Sequence, residues 1–232
     1  MIETLLKEGI NIERADDIYS VKNLVPGVYD RKAILYDKLI KNPLYNRIMW
    51  GNKPGNYTRF ARESIMSTDK GTVIDVGCGT LGFTGDVYRD YNRRKLVLID
   101  LSEEMLKIGR ARISNGSRSI HQFLRADALA LPFSAASIQT VLSFGIFHVF
   151  HDPTRLIREF YRVLVPGGDL HLTSLCTDRK WSARYLRLLE NKGEVGSVLS
   201  ANEIADIVCG EGFKVKKKVI GGMVFIDGVK EQ

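Results

Sequence analysis

The sequence predicts an α/β fold built on a doubly wound, seven-stranded, mostly parallel sheet with an antiparallel edge hairpin and an N-terminal helical cap. Three observations carry this expectation. Short, nearly continuous apolar runs such as TVIDVG, KLVLID and IQTVLSFG alternate with helical stretches, as strands covered on both faces do. The first run enters a glycine-rich turn, Gly77-Cys78-Gly79-Thr80-Leu81-Gly82, and then a helix. The last two strands follow one another without a helix between them, so they pair antiparallel, with Gly221-Gly222 as the turn.

Residues 1–68 read as the helical cap or lid. Within them RKAILYDKLIKNPLYNRIMW is helical, interrupted at Pro43, with Ile34, Leu35, Leu39 and Ile40 on one stripe. After the loop GNKPGN, YTRFARESIM forms a second helix. Residues 69–232 form the core of what is a single domain overall. Strand TVIDVG and the glycine turn lead to a helix around GFTGDVYRDY. KLVLID follows, with Ser102 capping a helix that carries Glu103 and Glu104 in its first turn. HQFLRADA and IQTVLSFG are the next strands. TRLIREFYRVL is a helix opened by Pro153 and ended by Pro166-Gly167-Gly168, and DLHLTSL is the fifth strand. Residues 176–198 are a polar, aromatic-bearing insertion on the substrate side. The helix SANEIADIVCGEGF and the strands KVKKKVIGG and MVFIDGV complete the chain.

With 44% hydrophobic and 26% charged residues, the 232-residue chain has the composition of a folded globular domain. No apolar run approaches the ~20 residues needed to span a bilayer, and the N-terminus lacks the pattern of a secretory signal. Cys78, Cys176 and Cys209 are too few and too far apart for a disulfide framework or a four-ligand zinc site, which points to a reducing, cytoplasmic setting. The net charge of +7 raises nucleic acid as a partner. Its dispersion argues against one: Arg93, Arg94 and Lys95 suit a helix C-terminus, and Lys214, Lys216 and Lys218 form the solvated face of a strand.

The glycine turn matches the dinucleotide pattern G-x-G-x-x-G, and Asp100 stands where a ribose-binding carboxylate belongs. The surrounding acids indicate a different ligand. Asp75, two residues before Gly77, would repel a diphosphate but suits a ligand with an ammonium group and a sulfonium. Asp127, followed by Ala128-Leu129-Ala130-Leu131-Pro132-Phe133, offers an acceptor for an adenine amine with apolar cover for the ring. Asp75, Asp100 and Asp127 thus stand at successive strand ends.

The stretches VIDVGCGT, LVLIDLS, RADALALPF, IQTVLSFGIFHVFHDP and REFYRVLVPGGDLHLTSL, in this order and spacing, resemble the motifs of class I S-adenosylmethionine-dependent methyltransferases. The resemblance spans residues 30–229 and is nearest to the small-molecule branch containing the ubiquinone/menaquinone C-methyltransferases. It implies a Rossmann-like core, S-adenosyl-L-methionine as cofactor and S-adenosylhomocysteine as product. By it, Asp75 orients the methionine amino end, Gly77, Cys78 and Gly79 contact the methionine part, and Asp100 accepts from the ribose hydroxyls. Leu101 packs on adenine, Asp127 and Ala128 flank the base, Ser143 touches the methionine end, and Tyr36 closes over it. The family usually has glycine where Leu81 stands and an acid where Gln139 stands.

His148, in the loop after the fourth strand, is the candidate base for an acceptor that must lose a proton; packing is its alternative reading. Cys78 reads as a small filler. No metal ligand set is evident around His148 and His151. Tyr45, Trp50, Tyr57, Trp181 and Tyr185 fall in the two segments that build a substrate lid. Arg179, Lys180, Arg184 and Arg187 offer either charge for an acidic substrate or a solvated helix face. The expected partner is a small-molecule methyl acceptor, with no membrane span, and with a monomer and a homodimer both open. A non-catalytic S-adenosylmethionine-binding regulator and an RNA methyltransferase are the alternatives. A nicotinamide dehydrogenase lacks support, because no Tyr-x-x-x-Lys pair follows a later strand.

Overall fold

In the computed structural model, the described residues are 2–24, 37, 39–67, 71–91, 96–114 and 121–231. The expected roles of Tyr36, Ile34, Leu35 and the basic run Arg93-Arg94-Lys95 lie outside the described residues.

The apolar runs become the centre of one sheet. Its strands among the described residues are β1 (Ile12–Ala15), β2 (Ile18–Val21), β3 (Val73–Val76), β4 (Leu96–Asp100), β5 (Gln122–Arg125), β6 (Ile138–Phe144), β7 (Leu164–Leu175), β8 (Phe213–Ile220) and β9 (Met223–Lys230). Their order is β1-β2-β5-β4-β3-β6-β7-β9-β8. The run from β2 to β7 is parallel, and β1 and the β9–β8 hairpin are antiparallel. Strand order reverses between β3 and β6, where this kind of sheet opens a crevice at its carboxyl ends.

The α-helices among the described residues are α1 (Pro43–Tyr45), which runs into a π-helical turn (Asn46–Trp50), then α2 (Pro54–Ser67), α3 (Gly85–Asp90), α4 (Glu103–Ser114), α5 (Pro153–Val163), α6 (Lys180–Asn191) and α7 (Ala201–Gly210). On one sheet face, Leu156, Ile157, Phe160 and Val163 of α5 and Ile204 and Val208 of α7 pack against Val76, Ile99 and Leu172. That spacing on α5 is a helical stripe, and its entry is fixed by Asp152, whose carboxylate accepts the Thr154 amide at 3.1 Å. The other face holds Ile65 of α2, Val87 and Tyr88 of α3, and Leu106 and Ile113 of α4 over Val73, Leu98 and Leu142. α7 opens with a reciprocal Ser200–Glu203 capping box.

The structure corrects the strand count from seven to nine; among the described residues, 1–68 carries the strand pair β1 and β2 beside its helices. Residues 12–21 are a hairpin whose two-residue turn, Asp16-Asp17, holds both residues at positive φ (47° and 64°). Aspartate tolerates that region, but the pair is a weaker turn signal than Asn-Gly or Asp-Gly. β2 lies along β5, pairing Ile18 with Phe123 and burying Ile18, so the hairpin covers an otherwise open edge. The interruption at Pro43 is a fresh helix start: the Asn42 side chain accepts the amides of Leu44 and Tyr45. α5 ends at Val163, and Pro166-Gly167-Gly168 lies within β7. On β8 the alternation holds for Phe213 and Val215 only, since Val219 is exposed at the sheet edge beside the lysines.

The Gly221-Gly222 turn is present and seats the N-terminal segment. A Cβ on Gly221 would come within 2.2 Å of the Trp50 carbonyl oxygen, and one on Gly222 within 2.4 Å of Ser182 Cβ. The Gly222 amide donates to that Trp50 oxygen at 2.7 Å.

Candidate active site

The glycine loop is held against the end of β4. The amides of Gly77 and Cys78 both donate to the Ile99 carbonyl, at 2.8 and 2.9 Å. The Gly79 amide donates to Asp100 Oδ2 at 2.8 Å, and the Ser102 amide to Asp100 Oδ1 at 2.9 Å. The Asp100 carboxylate is therefore fixed from both sides. Gly79 (φ +55°) faces open space, with nothing within 4 Å of where its Cβ would stand. Ile146 leans over Gly77, where a Cβ would meet Ile146 Cγ2 at 2.2 Å.

Asp75 is 1% exposed. Its Oδ2 accepts the Tyr88 hydroxyl at 2.8 Å, while Oδ1 is buried with no partner among the described residues. Burial pushes the Asp75 pKa up to about 7; the Tyr88 hydrogen bond opposes this and the charge of Asp100 adds to it. An orphaned carboxylate oxygen in the interior costs roughly 1–3 kcal/mol or more, so a proton donor or cation at this point is strongly favoured.

At the end of β5, Asp127 Oδ1 accepts the Leu129 amide at 2.8 Å and the Asp127 carbonyl accepts Ala130 N at 3.1 Å, forming a tight turn. Leu101 and Ala128 are half-buried, and the Leu101 carbonyl accepts Arg125 Nε at 3.1 Å. Ser143 is fully buried and donates to the Val76 carbonyl at 3.0 Å, stitching β6 to β3 at the switch point. The Cys78 thiol is pushed well above its usual range by burial and by Asp100 and Asp75, which suits a filler and not a nucleophile.

Sequence reading did not foresee the group that anchors the far side of the loop. Asp37 is buried, accepts Arg112 Nη2 at 3.1 and 3.0 Å and Lys41 Nζ at 2.5 Å, and accepts the Thr80 hydroxyl. Arg112 also donates to the Thr80 carbonyl. Burial alone would raise the Asp37 pKa, but Arg112, Lys41 and Thr80 together hold it below the usual carboxylate range. Contacts 43 and 75 residues apart leave no local signal. Tyr88, the partner of Asp75, was equally invisible. The third glycine of the pattern, Gly82, packs under Lys41 and Asp37.

His148 is buried, and burial pushes its pKa down to about 4. Its Nδ1 faces the Leu175 amide at 3.4 Å, so Nε2 carries the proton of the neutral ring. Its carbonyl accepts the amides of Gly196 and Ser197 at 2.9 and 3.2 Å, tying the end of the 176–198 segment to this loop.

Tyr45, Trp50, Tyr57 and Tyr185 meet in one cluster with Phe60, Leu186, Met223 and Phe225, and the cluster reaches Phe83 and Phe144 beside the glycine loop. Tyr57 stacks on Phe83 at a centroid distance of 4.5 Å. Trp181 does not join it and is 53% exposed. Arg179 spans to the Ile48 carbonyl at 2.8 Å, whereas Lys180, Arg184 and Arg187 are exposed.

Against known proteins, residues 73–168 match the family model described as a methyltransferase domain. This stretch is similar to that domain and covers less than half of the chain. The chain containing it is 36% identical over 109 residues to the demethylmenaquinone methyltransferase of Listeria monocytogenes, covering 46% of each chain. It is 38% identical over 106 residues to the ubiquinone/menaquinone biosynthesis C-methyltransferase of Escherichia coli, covering 43% of this chain and 40% of that one. The matches thus span less than half the length of these relatives. Among solved structures, the fold is shared with a protein in complex with the Haloferax volcanii Trm112 methyltransferase activator (TM-score 0.69, 20% identity, 90% of this chain and 100% of that one). It is shared also with Haemonchus contortus phosphoethanolamine N-methyltransferase 2, solved with S-adenosylhomocysteine (TM-score 0.66, 16% identity, 88% and 58%).

Proposed function

We propose that this protein transfers a methyl group from S-adenosylmethionine to a small-molecule acceptor by in-line displacement. The single observation that carries the reading is Asp75, buried beneath the glycine loop with Oδ1 unpartnered. A diphosphate there would meet two carboxylates, Asp75 and Asp100; an ammonium-bearing ligand supplies the missing positive charge. Asp100, oriented by the Gly79 and Ser102 amides at the end of β4, suits the ribose hydroxyls. Asp127, Leu101 and Ala128 suit an adenine, and the open backbone at Gly79 suits the methionine part.

When bound, the cofactor supplies an electrophilic methyl on a sulfur that leaves as a neutral thioether, so no acid is required. The chain's own contribution is to align acceptor and methyl and to exclude water, which supplies on the order of 7–11 kcal/mol. The aromatic cluster from Phe83 and Phe144 to Trp50 and Tyr185 is suited to holding an apolar or aromatic acceptor. We assign His148 a positioning role in this reaction: its low pKa and the engaged Nδ1 leave it a poor proton acceptor, and its carbonyl holds the 196–197 turn in place.

The test is incubation of the purified chain with methyl-labelled S-adenosylmethionine and a panel of phenols, quinols, amines and carboxylates. Labelled product with at least one acceptor class, lost in Asp75→Asn, is the expected result. Label transfer that persists undiminished in Asp75→Asn would overturn the assignment of the site.

A further inference from the structure

Leu44, Ile48, Trp181 and Leu188 are exposed by 64%, 49%, 53% and 48%, and they belong to two segments that pack together. Ser182 Oγ donates to the Met49 carbonyl at 2.8 Å, Arg179 Nη1 to the Ile48 carbonyl at 2.8 Å, and the hydroxyls of Tyr45 and Tyr185 stand 3.3 Å apart. On α6, Ser182 and Leu186 face the protein. Trp181, Tyr185 and Leu188, at helical spacing, form a stripe beside that buried face. Lys180, Arg184 and Arg187 follow on its outer flank.

The same two segments are rich in basic residues. Residues 39–54 contain Lys41, Arg47 and Lys53 and no acid. Residues 176–192 contain Arg179, Lys180, Arg184, Arg187 and Lys192 against Asp178 and Glu190. Lys41 pairs with Asp37, just outside these stretches; without it the two segments hold seven cations against two acids. An apolar stripe carrying a tryptophan, bordered by lysine and arginine, is the arrangement of a helix lying in the plane of a membrane interface. Among the described residues no helix is long and apolar enough to cross a membrane.

We propose that this face docks on the surface of an anionic lipid bilayer, with Trp181, Leu188, Leu44 and Ile48 entering the headgroup boundary and the basic flank meeting lipid phosphates. Charge complementarity selects this occupant. A second copy of the chain, related by a two-fold axis, would bring two equally basic faces together. The aromatic cluster runs from this face to Phe83 and Phe144, so docking would turn the acceptor side of the domain toward the lipid. Docking does not depend on the methyl transfer proposed above and is read by a separate measurement.

The experiment is co-sedimentation of the full chain with phosphatidylcholine vesicles, with and without phosphatidylglycerol, across a salt series. Binding to the anionic vesicles, little binding to the neutral ones, and release as salt rises are the expected results. The pairs Trp181→Ala with Leu188→Ala and Arg184→Glu with Arg187→Glu should each weaken vesicle binding on the order of tenfold. Unchanged thermal midpoints establish that both variants are folded. No sedimentation with anionic vesicles at low salt would overturn the docking face. Undiminished binding by both folded variants would do so too, as would a dimer in light scattering that Trp181→Ala dissociates.

Discussion

Leu81 and Gly109 are shaped to one another. Leu81 holds a φ of +57° in the glycine loop, and a Cβ on Gly109 of α4 would lie 3.1 Å from Leu81 Cγ. The left-handed backbone costs a branched residue roughly 1–2 kcal/mol, and full burial of the Leu81 side chain in the notch left by Gly109 offsets it. Leu81 at a position where the resembling family usually has glycine is therefore a packing exchange that keeps the loop conformation.

Gly109→Ala should destabilise the protein by about 1–3 kcal/mol through overpacking. In a Leu81→Gly background the same substitution should cost much less, because the opposing side chain is gone. Chemical denaturation of the four proteins in this cycle checks the coupling; additive costs would contradict it.

Asp75 makes stability and binding depend on pH in opposite ways. Its folded pKa, about 7, lies above the unfolded carboxylate value, so the stability it contributes is present below pH ~4 and is lost as pH rises toward 7. A shift of this size amounts to on the order of 4 kcal/mol. Asp75→Asn should therefore raise the thermal midpoint at pH 8 while weakening S-adenosylhomocysteine binding. In the wild type that binding should strengthen as pH rises through 6 to 7, since ligand charge favours the ionised acid. Calorimetric titrations at pH 6 and 8 read both effects.

Removing Arg112 leaves Asp37 buried with Lys41 and Thr80 alone. Arg112→Ala should cost about 1–3 kcal/mol of stability and should raise the KM for cofactor more than it lowers kcat, because Arg112 holds the loop through Thr80. A drop confined to kcat would contradict a positioning role.

His148 should be neutral throughout the neutral range, since burial holds its pKa near 4. Its depressed pKa contributes stability present above pH ~6.5 and lost as pH falls toward 4. His148→Gln should lower kcat by less than about tenfold, against the 10²–10⁴-fold expected on losing a general base. A kcat profile whose inflection near pH 6.5 disappears in this variant would restore the base role.

The order of strands from β3 to β9, the glycine loop and the acids at strand ends were legible because each rests on local signals: apolar runs, turn glycines and their spacing. The β1–β2 hairpin was not, since its turn is two aspartates without glycine and its burial depends on a partner strand more than a hundred residues away. Ser143 and His148 show a subtler failure. Their positions near the crevice were readable, but the Val76 carbonyl and the Leu175 amide that engage them belong to neighbouring strands. The same holds for Tyr88, whose hydroxyl finds Asp75 only once α3 is laid on the sheet.

The central claim is that the loop around Asp75 and Asp100 holds a sulfonium cofactor and not a dinucleotide. Isothermal titration of the wild type and Asp100→Ala with S-adenosylhomocysteine and with NAD tests it most directly. Saturable binding of S-adenosylhomocysteine, weakened at least about tenfold by Asp100→Ala through loss of charge-assisted hydrogen bonds, with no binding of NAD, is the predicted result. Saturable NAD binding, or S-adenosylhomocysteine affinity unchanged in Asp100→Ala, would contradict it.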